Sequence, residues 1–509
     1  MIEQHGSLSE KFIKKGFWLY VFSFITAPLG YIVKIIISGN LTVSEVGTLY
    51  GIISLIMLVS AYHDFGISES IYYFVPKFTA ESRYDKVKLI IFYGFLAQVV
   101  TGLILFSCFF FGSNYLAEHY FKSIEAMNVL KIFAFYFLCI NFYQIIGNFL
   151  MAVQNTFYNK LIELLRMGFV LFSTIGLFVF NYGTLLTFSY AWLFGLIVGM
   201  LFSIFIFYTK YYKVYLVNEK LFFDKELLKT IIKYSLLVFL SAQAATILGQ
   251  IDMLIVIYML GTEAAGYYTN YLSIISIPFM IIGPVFGFLF PVISELYGKN
   301  ELDKIRLIKS IFTKNFLSIG MFVNILFFVF AETIAFILFG EKFIMSGIIL
   351  KYSVLFLIFN YLLQINFQIM SGIGKVKYKF DIMVIAIIVN IITNIFFIKW
   401  IGVAGASLAT GIGWIIIWWL SEYRLGNEFK VKYDFKNFFK NLLVFSLLGI
   451  FSYYFIVPYI NSLPRLLALL FMILITILFI GFFILTNNKE IKLFINEIKS
   501  VRKVKNLNR

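Results

Sequence analysis

Charge is scarce in this sequence: only 13% of its 509 residues are Asp, Glu, Lys or Arg, about half the share of an ordinary soluble domain. Apolar residues make up 61%, more than a soluble fold of this length could keep from water, so lipid must be the solvent for most of the chain. There are two cysteines, Cys108 and Cys139, both inside apolar runs. That excludes a disulfide framework and leaves no metal-ligand spacing. No GxxxxGK[ST], HExxH or CxxC pattern occurs, so the chain has no P-loop for ATP hydrolysis and no zinc-protease or redox motif. Long hydrophilic loops are also missing, the longest expected outward loop lying near 331–345. This counts against a membrane-embedded polysaccharide polymerase or glycosyltransferase, which needs a catalytic acid on a sizeable loop. No catalytic or metal site is expected, and the reading is of a transporter.

What the sequence has instead is apolar runs of the roughly 20 residues that span about 30 Å of hydrocarbon. About fourteen are found, the first near 17–38, the second near 45–75, the seventh and eighth near 228–259 and 264–292, and the last near 465–486. The long second, seventh and eighth runs suggest tilted or kinked helices. The first run follows Lys11, Lys14 and Lys15 but is too long for a secretory signal and lacks a small-residue cleavage site. Aromatics reach 20%; part of this is interface belt, and no function is drawn from it.

Placing the N-terminus in the cytoplasm and alternating puts 35 of the 42 Lys and Arg on cytoplasmic ends. A bias that stays in phase over every loop supports both helix count and direction. The net charge of +16 is therefore mainly a topology signal and implies no nucleic-acid partner. The expectation is a multi-pass protein of the bacterial cytoplasmic (inner) membrane with both termini cytoplasmic. After Thr486, apolar residues at helical spacing among Lys492, Lys499, Arg502 and Lys503 fit an amphipathic helix on the anionic inner leaflet. A frayed basic tail is the alternative.

The two halves echo each other at a shift of about 219 residues. Leu130, Lys131 and Gln144 match Leu350, Lys351 and Gln364; Asp85 matches Asp303; Gly47 matches Gly266; and Gly183 matches Gly402. An even number of spans separates the copies, so both have one orientation and an axis along the membrane normal relates them. The domain reading is 1–16 as cytoplasmic N-terminus, 17–210 as an N-terminal six-helix bundle and 211–227 as a cytoplasmic linker. A C-terminal six-helix bundle follows at 228–425, then two additional helices in 426–486 and a basic tail at 487–509. The fold class is all-α integral membrane, two parallel-related bundles around a central cavity plus two C-terminal helices.

Several short tracts, in order, carry a family resemblance: Leu41 to Tyr50 (LTVSEVGTLY), Asp64-Phe65-Gly66-Ile67, Gln250-Ile251-Asp252-Met253 with Gly261 and Gly266-Tyr267-Tyr268, and Gly402 to Ala406 (GVAGA). Over essentially the whole chain the sequence resembles the polysaccharide (O-antigen or capsule) repeat-unit flippases of the multidrug/oligosaccharidyl-lipid/polysaccharide exporter superfamily. The resemblance implies carriage of a polyprenyl-diphosphate-linked oligosaccharide from the cytoplasmic to the outer leaflet by alternating access. It also implies a Na+ or H+ gradient as candidate driver, and a polysaccharide polymerase and chain-length regulator as candidate partners beside membrane lipids. A multidrug exporter of the same fold stays open as an alternative, as does a peptidoglycan-precursor flippase, although the latter is expected to have an arginine-rich cavity. Here Arg166 is the one arginine well inside a span.

Ionisable groups inside membrane helices are functional candidates. Asp64, beside His63, and Asp252, the lone acid of its helix, are candidate ion-coupling sites; each could equally be a structural carboxylate. Lys131 and Lys351, matched by the repeat, are candidates to hold a diphosphate or acidic sugar as point charges, with snorkelling to headgroups as the alternative. Lys34 stands in the same position. Gln144 and Gln364 with Asn148, Asn366 and Gln368 make an uncharged polar stripe suited to sugar hydroxyls or to interhelical bonding. Glu163 and Arg166, three apart, are expected to pair with each other. Pro278 and Pro284 in the eighth helix suggest a gating break, while the GxxxG pairs at Gly195/Gly199 and Gly283/Gly287 suggest close packing.

Overall fold

The computed structural model describes residues 8–62, 66–242, 244–431 and 433–487. His63, Asp64 and the basic tail beyond Asn487 lie outside them. Every regular element among the described residues is helical. The chain divides into two compact units, Met1–Thr269 and Asn270–Arg509. The first holds α1 (Leu8–Asn40), α2 (Val43–Tyr62), α3 (Ile67–Ala80), α4 (Tyr84–Tyr115), α5 (Ala126–Ala152), α6 (Thr156–Val179), α7 (Leu185–Phe207), α8 (Lys225–Ala242), α9 (Ala244–Leu260) and the start of α10 (Thr262–Gly298). The second holds the rest of α10, α11 (Leu302–Val329), α12 (Ala331–Phe339), α13 (Ile344–Ser353), α14 (Leu357–Gly372), α15 (Val376–Ile401), α16 (Val403–Leu425), α17 (Phe435–Phe451), α18 (Val457–Asn461) and α19 (Arg465–Thr486).

Among the described residues, 11 helices are long and apolar enough to cross a membrane, or 12 with the bent α10 taken as one span. The first and seventh expected runs carry shorter apolar helices, Phe24–Asn40 and Thr246–Leu260. The second and seventh runs are each two helices in succession, α2 then α3 and α8 then α9. α10 bends by 55° between Thr262–Met280 and Val285–Gly298. Pro278 precedes the break and Pro284 falls within it, and a proline removes one backbone donor from a helix. The segment expected as a loop near 331–345 is instead the buried helix α12 with a following 3-10 turn. Its C-terminal carbonyls are satisfied from α19, where Arg465 donates to the carbonyls of Ile337 (2.9 Å) and Leu338 (3.2 Å). A terminus capped by a guanidinium can stay folded at the end of a bundle where a bare one could not.

The outer surface identifies the solvent. α19 has a mean hydropathy of 3.1 with only 11% of its apolar window buried, and Leu466 and Leu485 are 70% and 75% exposed. Only hydrocarbon makes such a surface stable. The protein is therefore a multi-pass integral membrane protein.

Polar groups hold the second unit together from inside. Lys309 of α11, 1% exposed, donates to Glu422 of α16 at 2.8 Å. The other carboxylate oxygen of Glu422 accepts from Asn366 of α14 (2.9 Å) and from Tyr433 (3.0 Å). Burial first, and then the Glu422 carboxylate, push the Tyr433 phenol above its usual range, so it stays a neutral donor. Asn366, expected in a sugar-facing stripe, is fully buried in this network and also donates to Ser421 at 2.8 Å.

Candidate functional site

Within the first unit, α2, α5, α6, α7 and α9 enclose a cavity of about 520 Å³. Its wall is mostly apolar and aromatic, with Phe133, Tyr136 and Tyr143 from α5 and Trp192 from α7. Three strong polar groups converge on it: Arg166 of α6, Gln144 of α5 and Gln250 of α9. The guanidinium of Arg166 lies over the Tyr143 ring, 5.7 Å from its centroid. Its Nε and the indole Nε1 of Trp192 are both buried without a hydrogen-bond partner among the described residues. A donor left orphaned in a dry interior costs about 1–3 kcal/mol. Among the described residues, no carboxylate, histidine or cysteine lines the cavity and no cluster able to hold a metal ion is found. The chemistry available is recognition: one cation for an anionic group, amides for hydroxyls and aromatic faces for sugar rings.

Packing explains how Arg166 comes to face this space. α7 crosses α6 at Gly195 and Gly199. A methyl built on Gly199 would stand 3.1 Å from Arg166 Cβ and 3.2 Å from Tyr143 Cε2, and one on Gly195 would overlap Val170. The GxxxG spacing lets the backbones approach and leaves the Arg166 side chain no room except along Tyr143. We expect Gly199→Leu to lower stability by about 2 kcal/mol, the order of an overpacked interior, and to displace Arg166. Thermal unfolding in detergent tests the first, and loss of activity in excess of the stability change tests the second.

The expected pairing of Glu163 with Arg166 is not formed. Glu163 bonds Lys160 at 2.6 Å, one turn the other way, and this frees the arginine for the cavity. Of the residues singled out from sequence, Gln144 lines the cavity. Lys34 does not; it is 9% exposed and donates to the carbonyl and Oγ1 of Thr269, both at 2.7 Å, with Tyr50 under its ammonium. Asp252, two residues after Gln250 and so about 200° around the helix, is 7% exposed and accepts from Tyr268 at 3.1 Å. Lys131 is half-buried on α5, about 20 Å along the helix from Gln144 at 1.5 Å per residue. In the second unit Lys351 is ion-paired with Glu332 and lies 5.4 Å from the Tyr453 ring centroid. Gln364 donates to Asn360 at 3.3 Å, and Pro278 is buried. Arg166, which the sequence reading paired with Glu163, and Trp192 and Gln250, which it gave no site role, also line the cavity. The available signal was that Arg166 is the one arginine deep in a span; the aromatics were masked by an abundance of 63 Phe and 33 Tyr.

The fold is that of known membrane transporters. A multidrug resistance MATE family transporter of the MOP superfamily, in its inward-facing conformation, matches with a TM-score of 0.66 at 16% identity, covering 84% of this chain and 96% of its own. The lipid II flippase MurJ, in an inward closed conformation, matches with a TM-score of 0.67 at 16% identity, covering 92% and 98%. Helices and cavity together thus define a multi-pass membrane protein with the fold shared by these two proteins. Within that class, the chain belongs to the polysaccharide biosynthesis protein family, which it matches over residues 12–297. A relative of similar length, the uncharacterized membrane protein MJ1068 of Methanocaldococcus jannaschii, is 26% identical over 466 residues, 88% of this chain and 89% of that one.

Proposed function

We propose that this protein is a flippase that carries a lipid-linked, anion-bearing saccharide across the cytoplasmic membrane by alternating access. The observation that carries the reading is Arg166, a half-buried cation in the wall of an aromatic and amide-lined cavity, in a chain of the polysaccharide biosynthesis family. A cation there attracts the diphosphate or acidic sugar of such a substrate, because charge interactions strengthen where water is excluded. The same cation disfavours cationic drugs, which sets the multidrug reading second. The phased distribution of Lys and Arg supports cytoplasmic termini.

The test is the leaflet in which lipid-linked glycan resides in cells lacking this protein, assigned with an impermeant oxidant. We expect accumulation on the cytoplasmic leaflet, relieved by the intact gene. A normal glycan distribution with new sensitivity to cationic drugs would overturn the proposal.

A further inference from the structure

The first helical turns of α2 and α10 cross in van der Waals contact, and the crossing is reciprocal. A methyl built on Gly47 would overlap the carbonyl of Thr262, and one built on Gly266 would overlap the carbonyl of Val43. Gly47 and Gly266 are repeat partners at the 219-residue shift, and so are Val43 and Thr262. Each copy of the repeat therefore presents the same glycine to the same carbonyl of the other, as a two-fold interface requires. Polar bonds fasten the crossing. Ser44 and Thr262 share a hydrogen bond between hydroxyls at 2.7 Å, and Lys34 of α1 holds the backbone carbonyl and hydroxyl of Thr269 on α10. One turn deeper, Gly51 faces Ile257 of α9, where a methyl would stand 2.5 Å from Ile257 Cδ1. Immediately beyond, Ile53, Ile56 and Met57 of α2 line the cavity.

By the repeat, α9 and the start of α10 belong to the second half of the chain. By their contacts they cluster with the first, in the unit that ends at Thr269. This crossing joins the two repeats across the end of the cavity that the charge pattern assigns to the outer face.

We propose that the Gly47–Gly266 crossing, with Ser44–Thr262 and Lys34–Thr269, is a latch that closes the outer end of the cavity and must part once in every transport cycle. This rests on the flippase reading above. A latch of this kind suits a gate. Two backbones in direct contact leave no side chains to repack, so the closed state is sharply defined. The few polar bonds can be exchanged for water or headgroups when it opens.

The experiment uses Ser44→Cys/Thr262→Cys in the full chain with Cys108 and Cys139 replaced by Ser. Oxygens at 2.7 Å place sulfurs within reach of a disulfide. Oxidation should form the cross-link and cut glycan translocation at least tenfold, with recovery on reduction. Translocation continuing at the reduced rate while the cross-link is complete would make the crossing a permanent fulcrum and overturn the proposal. Failure of the cross-link to form would overturn the contact itself. A second readout is independent of substrate: the single Ser44→Cys should react slowly with an impermeant maleimide from the outer face. Lys34→Met, which removes one fastening, should speed that reaction several-fold. An unchanged rate would overturn the role of Lys34 in the latch. If the flippase reading alone is wrong, translocation is indifferent even to deletion of the protein, while the labelling difference persists.

Discussion

Replacing Arg166 with alanine should lower glycan translocation by about 30-fold or more, the equivalent of the 2 kcal/mol or above lost when one partner of a desolvated charge contact is removed. The thermal stability of the protein should change little, because among the described residues no acid is ion-paired with Arg166: Glu163 is already bonded to Lys160. Arg166→Lys should fall between the two. It keeps the charge but loses the planar fork that can grip two oxygens and stack on Tyr143. The measurement is the leaflet distribution of lipid-linked glycan at matched protein levels, with unfolding temperature in detergent as control. Wild-type translocation by Arg166→Ala would remove the cavity from the transport path.

The largest effect on stability is expected at Lys309. Lys309→Met leaves the Glu422 carboxylate with Asn366 and Tyr433 as its donors among the described residues, in a setting where Lys309 itself is 1% exposed. Stranding one member of a buried pair costs about 3 kcal/mol. The double change Lys309→Met/Glu422→Gln should recover most of the loss, since a neutral amide needs no counter-charge. Thermal unfolding of the single and double variants checks both. Equal stability of the two would show that the pair is not coupled.

The sites divide between what sequence can and cannot carry. Gln144 was legible as a cavity candidate because a polar side chain in an apolar helix stands out against its neighbours. The Lys309–Glu422 pair was not, because its members are 113 positions apart. Lys351 was legible as a residue of interest, but its partner Glu332 sits on α12, a segment that read as loop. Arg166 was found and then assigned to the wrong neighbour. Glu163 has basic residues three positions away on both sides, Lys160 and Arg166, and spacing along one helix cannot choose between them. The close approach of α7 at Gly199 is what turned Arg166 to the cavity.

The sequence by itself determined that this chain lives in lipid and that it is helical, and it carries the expectations of helix direction and of two like-oriented copies. Those properties follow from apolar run length, from the side of each loop that holds Lys and Arg, and from order along the chain, all of them local or additive. Tertiary structure decided which buried charges are bonded to protein and which face the cavity. It also decided that Gly47 and Gly266 meet one another as well as match one another. Such outcomes depend on how helices distant in sequence cross, and the crossing is set by the summed packing of their faces, which no single stretch of residues encodes.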